Sequence, residues 1–208
     1  VSLGGRFGYR DQGQTPNTQL TAYDFGGIQL FCEQRGLVDR KAVKVTVEFH
    51  TDQGVVREGK FFPNGAQRGE PIEGAPVGGF ADLGRLHFRN FIDCIRSRDR
   101  GQLNGEILEG HRSALLAHLG NISYRLGEEV PFDKQPDAFG GDDLAREAFG
   151  DLKRHLADDA GLKLAGAGYR LGRALRFDAE TEKFVGDAEA DQMLTRPYRG
   201  PFVVPEQV

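Results

Sequence analysis

Apolar and polar positions alternate with a period of two through the first third of the chain, which is the spacing of β-strands. The alternation is clearest over residues 19–25, 28–34 and 42–50. Gly26 and Gly27 connect the first two runs, and a glycine pair between alternating runs predicts a β-hairpin. A turn at 52–54 leads into a further strand over 55–62. We therefore expect a mainly antiparallel sheet in this half of the chain.

The period becomes helical between residues 87 and 127. Apolar residues share one face of a first helix, at Phe88, Phe91, Ile92 and Ile95. In the second helix His111 lies on the apolar stripe instead of opposite it. A third helix is expected at about 142–157. We expect the helix pair to pack behind the sheet, with the stripe of the first helix against strand residues such as Val43 and Val45.

Strands that precede helices predict an α+β fold, with an open, mainly antiparallel β-sheet and helices packed on one face. The sequence Tyr-Arg-Leu-Gly occurs twice, at 124–127 and at 169–172. Between the two copies, residues 133–168 form a segment that we interpret as a helical insertion. The remaining residues, 1–132 and 169–208, are expected to form one domain of sheet and helices.

Composition narrows the range of partners. The chain has 208 residues and a net charge of −4. Its 27 basic residues are outnumbered and scattered, which argues against nucleic-acid binding. No apolar run approaches the roughly 20 residues of a membrane span. Because the chain begins at Val1 and its only methionine is Met193, we expect a fragment of a longer protein or a protein processed at its N-terminus. Any export signal would precede the fragment, so no compartment is assigned.

Four polar residues are candidates for lining a substrate site. Arg6, Tyr9 and Asn17 form a polar group in an otherwise strand-like region, and His111 faces the apolar side of its helix. Their side chains would donate hydrogen bonds to substrate hydroxyls or accept them. Alternatively, the first three belong to an exposed sheet edge and turn, and His111 is an ordinary core histidine.

No stretch of the sequence matches a dinucleotide-binding loop or a metal-binding cysteine cluster. Residues 166–172 approach a dinucleotide-binding glycine loop, but the third glycine is one position late and no β-branched strand precedes it. Cys32 and Cys94 are too far apart in the sequence to suggest a metal cluster. We assign no cofactor-binding or metal-ligating residue to this chain.

Several runs carry a family resemblance, at 4–19, 87–98, 109–127 and 177–206. Together they resemble the C-terminal half of bacterial oxidoreductases of the glucose-fructose oxidoreductase, inositol dehydrogenase and rhizopine-catabolism family, in the branch abundant in planctomycete-like bacteria. The resemblance implies an N-terminal Rossmann domain that binds NAD(P). It also implies a second domain with an open sheet that shapes a sugar or polyol site and mediates oligomerisation.

The chain departs from this family in lacking the cofactor loop and the Glu-Lys-Pro catalytic motif. The resemblance therefore implies a substrate-side and assembly domain without catalytic residues, inactive alone, with NAD(P) expected only in the full-length protein. The implied partners are the missing Rossmann domain, a carbohydrate-like substrate and further copies of the chain bound through the sheet. Two alternatives are an NAD-dependent glycoside hydrolase of the same family and a non-catalytic binding or oligomerisation domain.

Overall fold

A computed structural model describes residues 1–37, 47–73 and 80–205, the last range without the side chains of residues 80–82. The chain divides into two compact units. The first comprises Val1–Ala42 and Ala114–Val208, and the second comprises Val43–Ser113. Each unit has its own antiparallel sheet, and each is described separately below.

The first unit contains β1 (Ser2–Gly5), β2 (Thr18–Asp24), β3 (Gln29–Arg35), β8 (Glu128–Pro131), β9 (Gly168–Leu171), β10 (Phe177–Asp178), β11 (Lys183–Phe184), α3 (Asp143–Arg154) and α4 (Ala188–Gln192). The second contains β4 (Glu48–His50), β5 (Gly54–Arg57), β6 (Lys60–Pro63), β7 (Glu70–Pro71) and α1 (Phe80–Ser97). Helix α2 (Ile107–Arg125) begins in the second unit and ends in the first.

The main sheet of the first unit has the strand order β3-β2-β1-β9-β8, and every neighbouring pair is antiparallel. The predicted hairpin is confirmed as β2 and β3, with Asp24 opposite Gln29. Gly26 and Gly27 have φ angles of 75° and 113°, a region that glycine enters without a Cβ clash. The α+β class with antiparallel sheets is likewise confirmed.

An apolar core lies on one face of this sheet. Leu3 and Leu20 oppose each other on β1 and β2, and both are fully buried. The helix expected at 142–157 is confirmed as α3 followed by a π-helical turn, His155–Asp159. Its buried residues Phe149 and Leu152 join the same cluster. The segment interpreted as an insertion, 133–168, thus contributes part of the core of the first unit.

The opposite face of the sheet is polar and also covered. Ser2 Oγ accepts hydrogen bonds from Gln19 Nε2 at 2.8 Å and Thr21 Oγ1 at 3.0 Å. The Ser2 backbone N–H donates to Ser123 Oγ on α2 at 3.0 Å. These four residues are buried, and their mutual hydrogen bonds remove most of the cost of burying polar groups.

Helix α2 crosses this polar face closely. A Cβ atom on Gly120 would lie 3.0 Å from Thr21 Oγ1, so glycine makes this close approach easier. Tyr23 Oη donates to the Leu116 carbonyl of the same helix at 2.5 Å. The expectation of helices on one face is therefore wrong, because α2 and α3 pack on opposite faces. A polar face of small, mutually bonded side chains can be buried as well as solvated, and periodicity does not distinguish the two.

The second unit has the strand order β4-β5-β6-β7, again antiparallel. The single strand expected at 55–62 is wrong, because Glu58 and Gly59 have φ angles of 50° and 72° and turn the chain back. Only the end of the strand expected at 42–50 is visible as β4, and Val43 and Val45 lie outside the described residues.

The first predicted helix is confirmed as α1, but its apolar stripe is not buried. Phe88, Phe91, Ile92 and Ile95 are 67%, 52%, 44% and 45% exposed. The expectation that this stripe packs behind a sheet is not met in the described residues. Among the helices that the structure describes, none combines the length and hydrophobicity that a membrane span requires.

Two leucines on α3 test the packing of the first unit. Leu152 is fully buried and Leu144 is 37% exposed. We expect Leu152→Ala to lower the free energy of unfolding by about 2–4 kcal/mol, since it leaves a cavity in the core. The matched Leu144→Ala should cost less than about 1 kcal/mol. Urea denaturation of both variants measures the difference, and equal losses would contradict this assignment of the core.

Tyr23 makes the stability of the first unit sensitive to alkali. Burial raises the pKa of Tyr23 to about 12, whereas an unfolded tyrosine titrates near 10. The folded state therefore favours the protonated phenol, and stability present below pH ~10 should be lost as pH rises toward ~12. Urea midpoints should fall less steeply over this range in Tyr23→Phe than in the parent, while exposed Tyr198→Phe should retain the parent slope.

Candidate functional site

A groove of about 590 Å³ opens in the first unit where the loop after β1 meets the end of α2 and β9. Its lining is unusually rich in arginine and tyrosine, and comprises Arg6, Tyr9, Arg10, Asp11, Gly13, Gln14, Tyr124, Arg125 and Arg170. A second cavity of about 380 Å³ at the start of α3 contains none of the candidate residues. The first groove is therefore the candidate site.

Arg6 organises the loop that forms one wall. Its Nε donates to Asp11 Oδ1 at 2.8 Å, its Nη2 donates to the other carboxylate oxygen, and its Nη1 donates to the Thr15 carbonyl at 2.9 Å. The Arg6 hydrogen bonds, with help from the Gly13 N–H, hold the pKa of the Asp11 carboxyl below its usual range. A Cβ on Gly13 would lie 2.4 Å from Arg6 Cζ, so a larger residue there would displace the guanidinium from its present position.

Asn17 fixes the same loop through two hydrogen bonds to the backbone of Phe7. Its Oδ1 accepts from the Phe7 N–H at 3.1 Å, and its Nδ2 donates to the Phe7 carbonyl at 2.9 Å. Because the side chain is 7% exposed and bonded at both ends, it has little left to offer a ligand. Asn17 was a candidate substrate-lining residue, but the structure makes it a positioning residue outside the groove.

Arg170, which lies on β9, forms the opposite wall of the groove. Its Nη1 donates to the carbonyls of Arg125 at 3.4 Å and Gly127 at 3.3 Å, which satisfies acceptors at the end of α2. Its guanidinium carbon lies 5.8 Å from the centre of the Tyr124 ring. Burial raises the pKa of Tyr124, while the charges of Arg170 and Arg6 oppose that rise. The phenol is thus within electrostatic reach of both walls.

The repeated Tyr-Arg-Leu-Gly sequence has a structural consequence, although not as a repeated unit. The first copy ends α2 and the second lies on β9. A Cβ on Gly127 would lie 2.2 Å from the Leu171 carbonyl oxygen, and one on Gly172 would lie 2.5 Å from Ser123 Oγ. The two glycines therefore let the copies meet, which brings Arg125 and Arg170 into one groove.

The structure divides the four sequence candidates. Arg6 and Tyr9 line the groove, although on a loop and not on the strand their alternation suggested. His111 belongs to the second unit, is exposed, and is not a lining residue. The expectation that it lies on a buried stripe is wrong, because the N-terminal part of α2 buries no residue. Sequence reasoning missed Tyr124, Arg125 and Arg170, for which the repeat was the available signal.

The lining is suited to binding more than to acid–base chemistry. Its single carboxylate, Asp11, is paired with Arg6, and no imidazole is among the lining residues. Within the described ranges no cluster of three metal-ligating side chains occurs. The segment 166–172 does not fit a dinucleotide, because it runs into strand β9 and not into a helix N-terminus that would receive a pyrophosphate.

No protein-family model, curated protein or solved structure matches the chain. The resemblance to the oxidoreductase family thus remains a prediction. The lining residues of the groove are therefore the basis for the proposed function.

Asn17 provides a test of how the groove is positioned. We expect Asn17→Ala to lower the free energy of unfolding by about 2 kcal/mol, because both Phe7 backbone groups lose their partner. It should also shift the amide NMR signals of the loop from Arg6 to Gln14. Asn121→Ala, on the part-buried side of α2, is the matched control and should leave those signals in place. Unchanged loop signals in both variants would remove Asn17 from this role.

Proposed function

We propose that this chain is the substrate-side and assembly domain of an NAD(P)-dependent oxidoreductase that acts on a sugar, a polyol or a related carbohydrate. In this proposal the chain binds and orients the substrate in the groove. Hydride transfer belongs to a nicotinamide held by a separate Rossmann domain. The chain alone is then a binding domain without turnover.

One observation carries the proposal: Arg6 and Tyr9, chosen from the sequence as hydroxyl-binding residues, line the same groove as Tyr124 and Arg170. Its volume falls within the ~300–1,000 Å³ typical of small-molecule sites. Guanidinium and phenol groups supply donors for hydroxyl oxygens, and the tyrosine rings supply apolar faces for the C–H side of a sugar. Hydroxylated ligands of monosaccharide size match this combination.

Two guanidinium groups of the groove, those of Arg6 and Arg170, are held in place before a ligand arrives. The Arg6 guanidinium carbon lies 5.5 Å from the Tyr9 ring centre, and its donors are fixed by Asp11 and Thr15. Arg170 is anchored by the end of α2 and by Tyr124. Fixed donors lose little conformational entropy on binding, which favours a specific ligand over a nonspecific one.

The assembly part of the proposal rests on the resemblance alone. Association through an uncovered sheet face was the expected mode, but α2 and α3 each cover a face at β1 and β2. The edge strand β3 remains largely exposed, and we propose it as the place where a homo-oligomer would form. An edge strand presents unpaired backbone groups that a second copy can satisfy.

Tyr9 allows the carbohydrate part to be tested. We expect glucose or myo-inositol at millimolar concentration to shift the NMR signals of groove residues, and Tyr9→Ala to weaken that binding about tenfold through loss of an aromatic contact. Tyr198→Ala is the matched control, since Tyr9 is 51% and Tyr198 is 56% exposed and only Tyr9 lines the groove. If neither glucose nor myo-inositol shifts the NMR signals of the groove residues, the proposal is contradicted.

The redox assignment has its own check in nicotinamide fluorescence. If the cofactor belongs to another domain, adding this chain to NADH should leave its fluorescence unchanged. An enhancement of fluorescence at micromolar NADH would place a cofactor site within this chain. It would contradict the proposal that a separate domain binds the nicotinamide.

A further inference from the structure

We propose that the carbohydrate bound in this groove is anionic, carrying a carboxylate or phosphate group that Arg10 and Arg125 bind. This inference deepens the proposed function and rests on it. The shared chemistry is an oxyanion attached to a hydroxylated ring or chain. Arginine is suited to it because a planar guanidinium can donate two parallel hydrogen bonds to one oxyanion.

The lining of the groove carries more positive than negative charge. Arg6, Arg10, Arg125 and Arg170 face one carboxylate, Asp11, and Arg6 already forms an ion pair with it. In the described residues no carboxylate pairs with Arg10 or Arg125. Glu129 lies opposite Arg170 in the β8–β9 register, but the two form no salt bridge there. The groove therefore retains an excess of positive charge.

This excess of positive charge is local to the groove. The whole chain has a net charge of −4. The cluster of arginines in the groove is therefore not a consequence of a basic overall composition. Like charges brought together repel one another, and that cost is recovered when an anion binds between them. A cationic groove on an acidic molecule also attracts small anions selectively to that position.

The four arginines of the groove differ in whether their donors already have partners in the fold. Arg6 is bonded to Asp11 and Thr15, and Arg170 donates one nitrogen to the end of α2. Arg10 and Arg125 are exposed, and no hydrogen bond of either side chain is seen in the described part of the chain. They are therefore the side chains whose donors a ligand can take without disrupting the fold.

Isothermal titration of the 208-residue chain with four probes tests the inference: glucuronate, glucose 6-phosphate, glucose and inorganic phosphate. We expect at least one of the two anionic sugars to bind about tenfold more tightly than glucose, with an affinity that falls as salt is added. Arg10→Gln and Arg125→Gln should each weaken that sugar about tenfold, as expected for loss of one charge-assisted hydrogen bond. Arg196→Gln removes the same charge from an exposed position outside the groove and should change nothing.

The four probes also distinguish failure of the anionic-ligand inference from failure of the proposed carbohydrate function. Whether glucuronate or glucose 6-phosphate binds more tightly identifies the anion as carboxylate or phosphate, and either supports the inference. Equal affinity for glucose and both anionic sugars would overturn it while leaving the proposed carbohydrate function standing. Inorganic phosphate binding as tightly as glucose 6-phosphate would overturn it too, since the sugar would then contribute nothing. Failure of all three sugars would remove the proposed function itself.

Discussion

The close approach of α2 to the sheet is the constraint on which the first unit depends. Gly120 lets the helix lie against Thr21, and Gly127 and Gly172 let the end of the helix meet β9. Ser123 joins the two elements, since its Oγ accepts from the Ser2 N–H and donates to the Arg173 carbonyl. A Cβ at Gly127 would lie 2.2 Å from the Leu171 carbonyl oxygen, and one at Gly172 would lie 2.6 Å from the Ser2 carbonyl oxygen, so the backbone would have to move. The same contact covers the polar face of the sheet and forms one wall of the groove.

The groove illustrates how arginine serves structure and binding together. Arg6 closes its loop on Asp11, and Arg170 satisfies carbonyls at the end of α2. These contacts fix two cations in place, and the loop and helix then carry Arg10 and Arg125 to the same opening. Positive charge is thus concentrated by backbone geometry in a chain whose composition is acidic. The net charge of the whole chain gave no sign of this local excess.

The second unit shows the limits of amphipathicity as evidence. The stripe of α1 has the spacing of a buried helix face, and the helix is present where the spacing predicts it. Its phenylalanines are nevertheless exposed in the structure. Helical periodicity reports which residues share a face, because that follows from 3.6 residues per turn. It does not report what covers that face, which is a property of the surroundings.

Local sequence determined the hairpin at Gly26–Gly27, the helices α1 to α3 and the α+β class. Each follows from periodicity or turn chemistry within a few residues. Only the tertiary structure decided that α2 and α3 lie on opposite faces, that Asn17 supports a loop, and that Tyr124, Arg125 and Arg170 belong to the site. The reason is distance along the chain: Ser2 and Ser123 are 121 positions apart and Arg125 and Arg170 are 45 apart, and no local pattern encodes contacts of that separation.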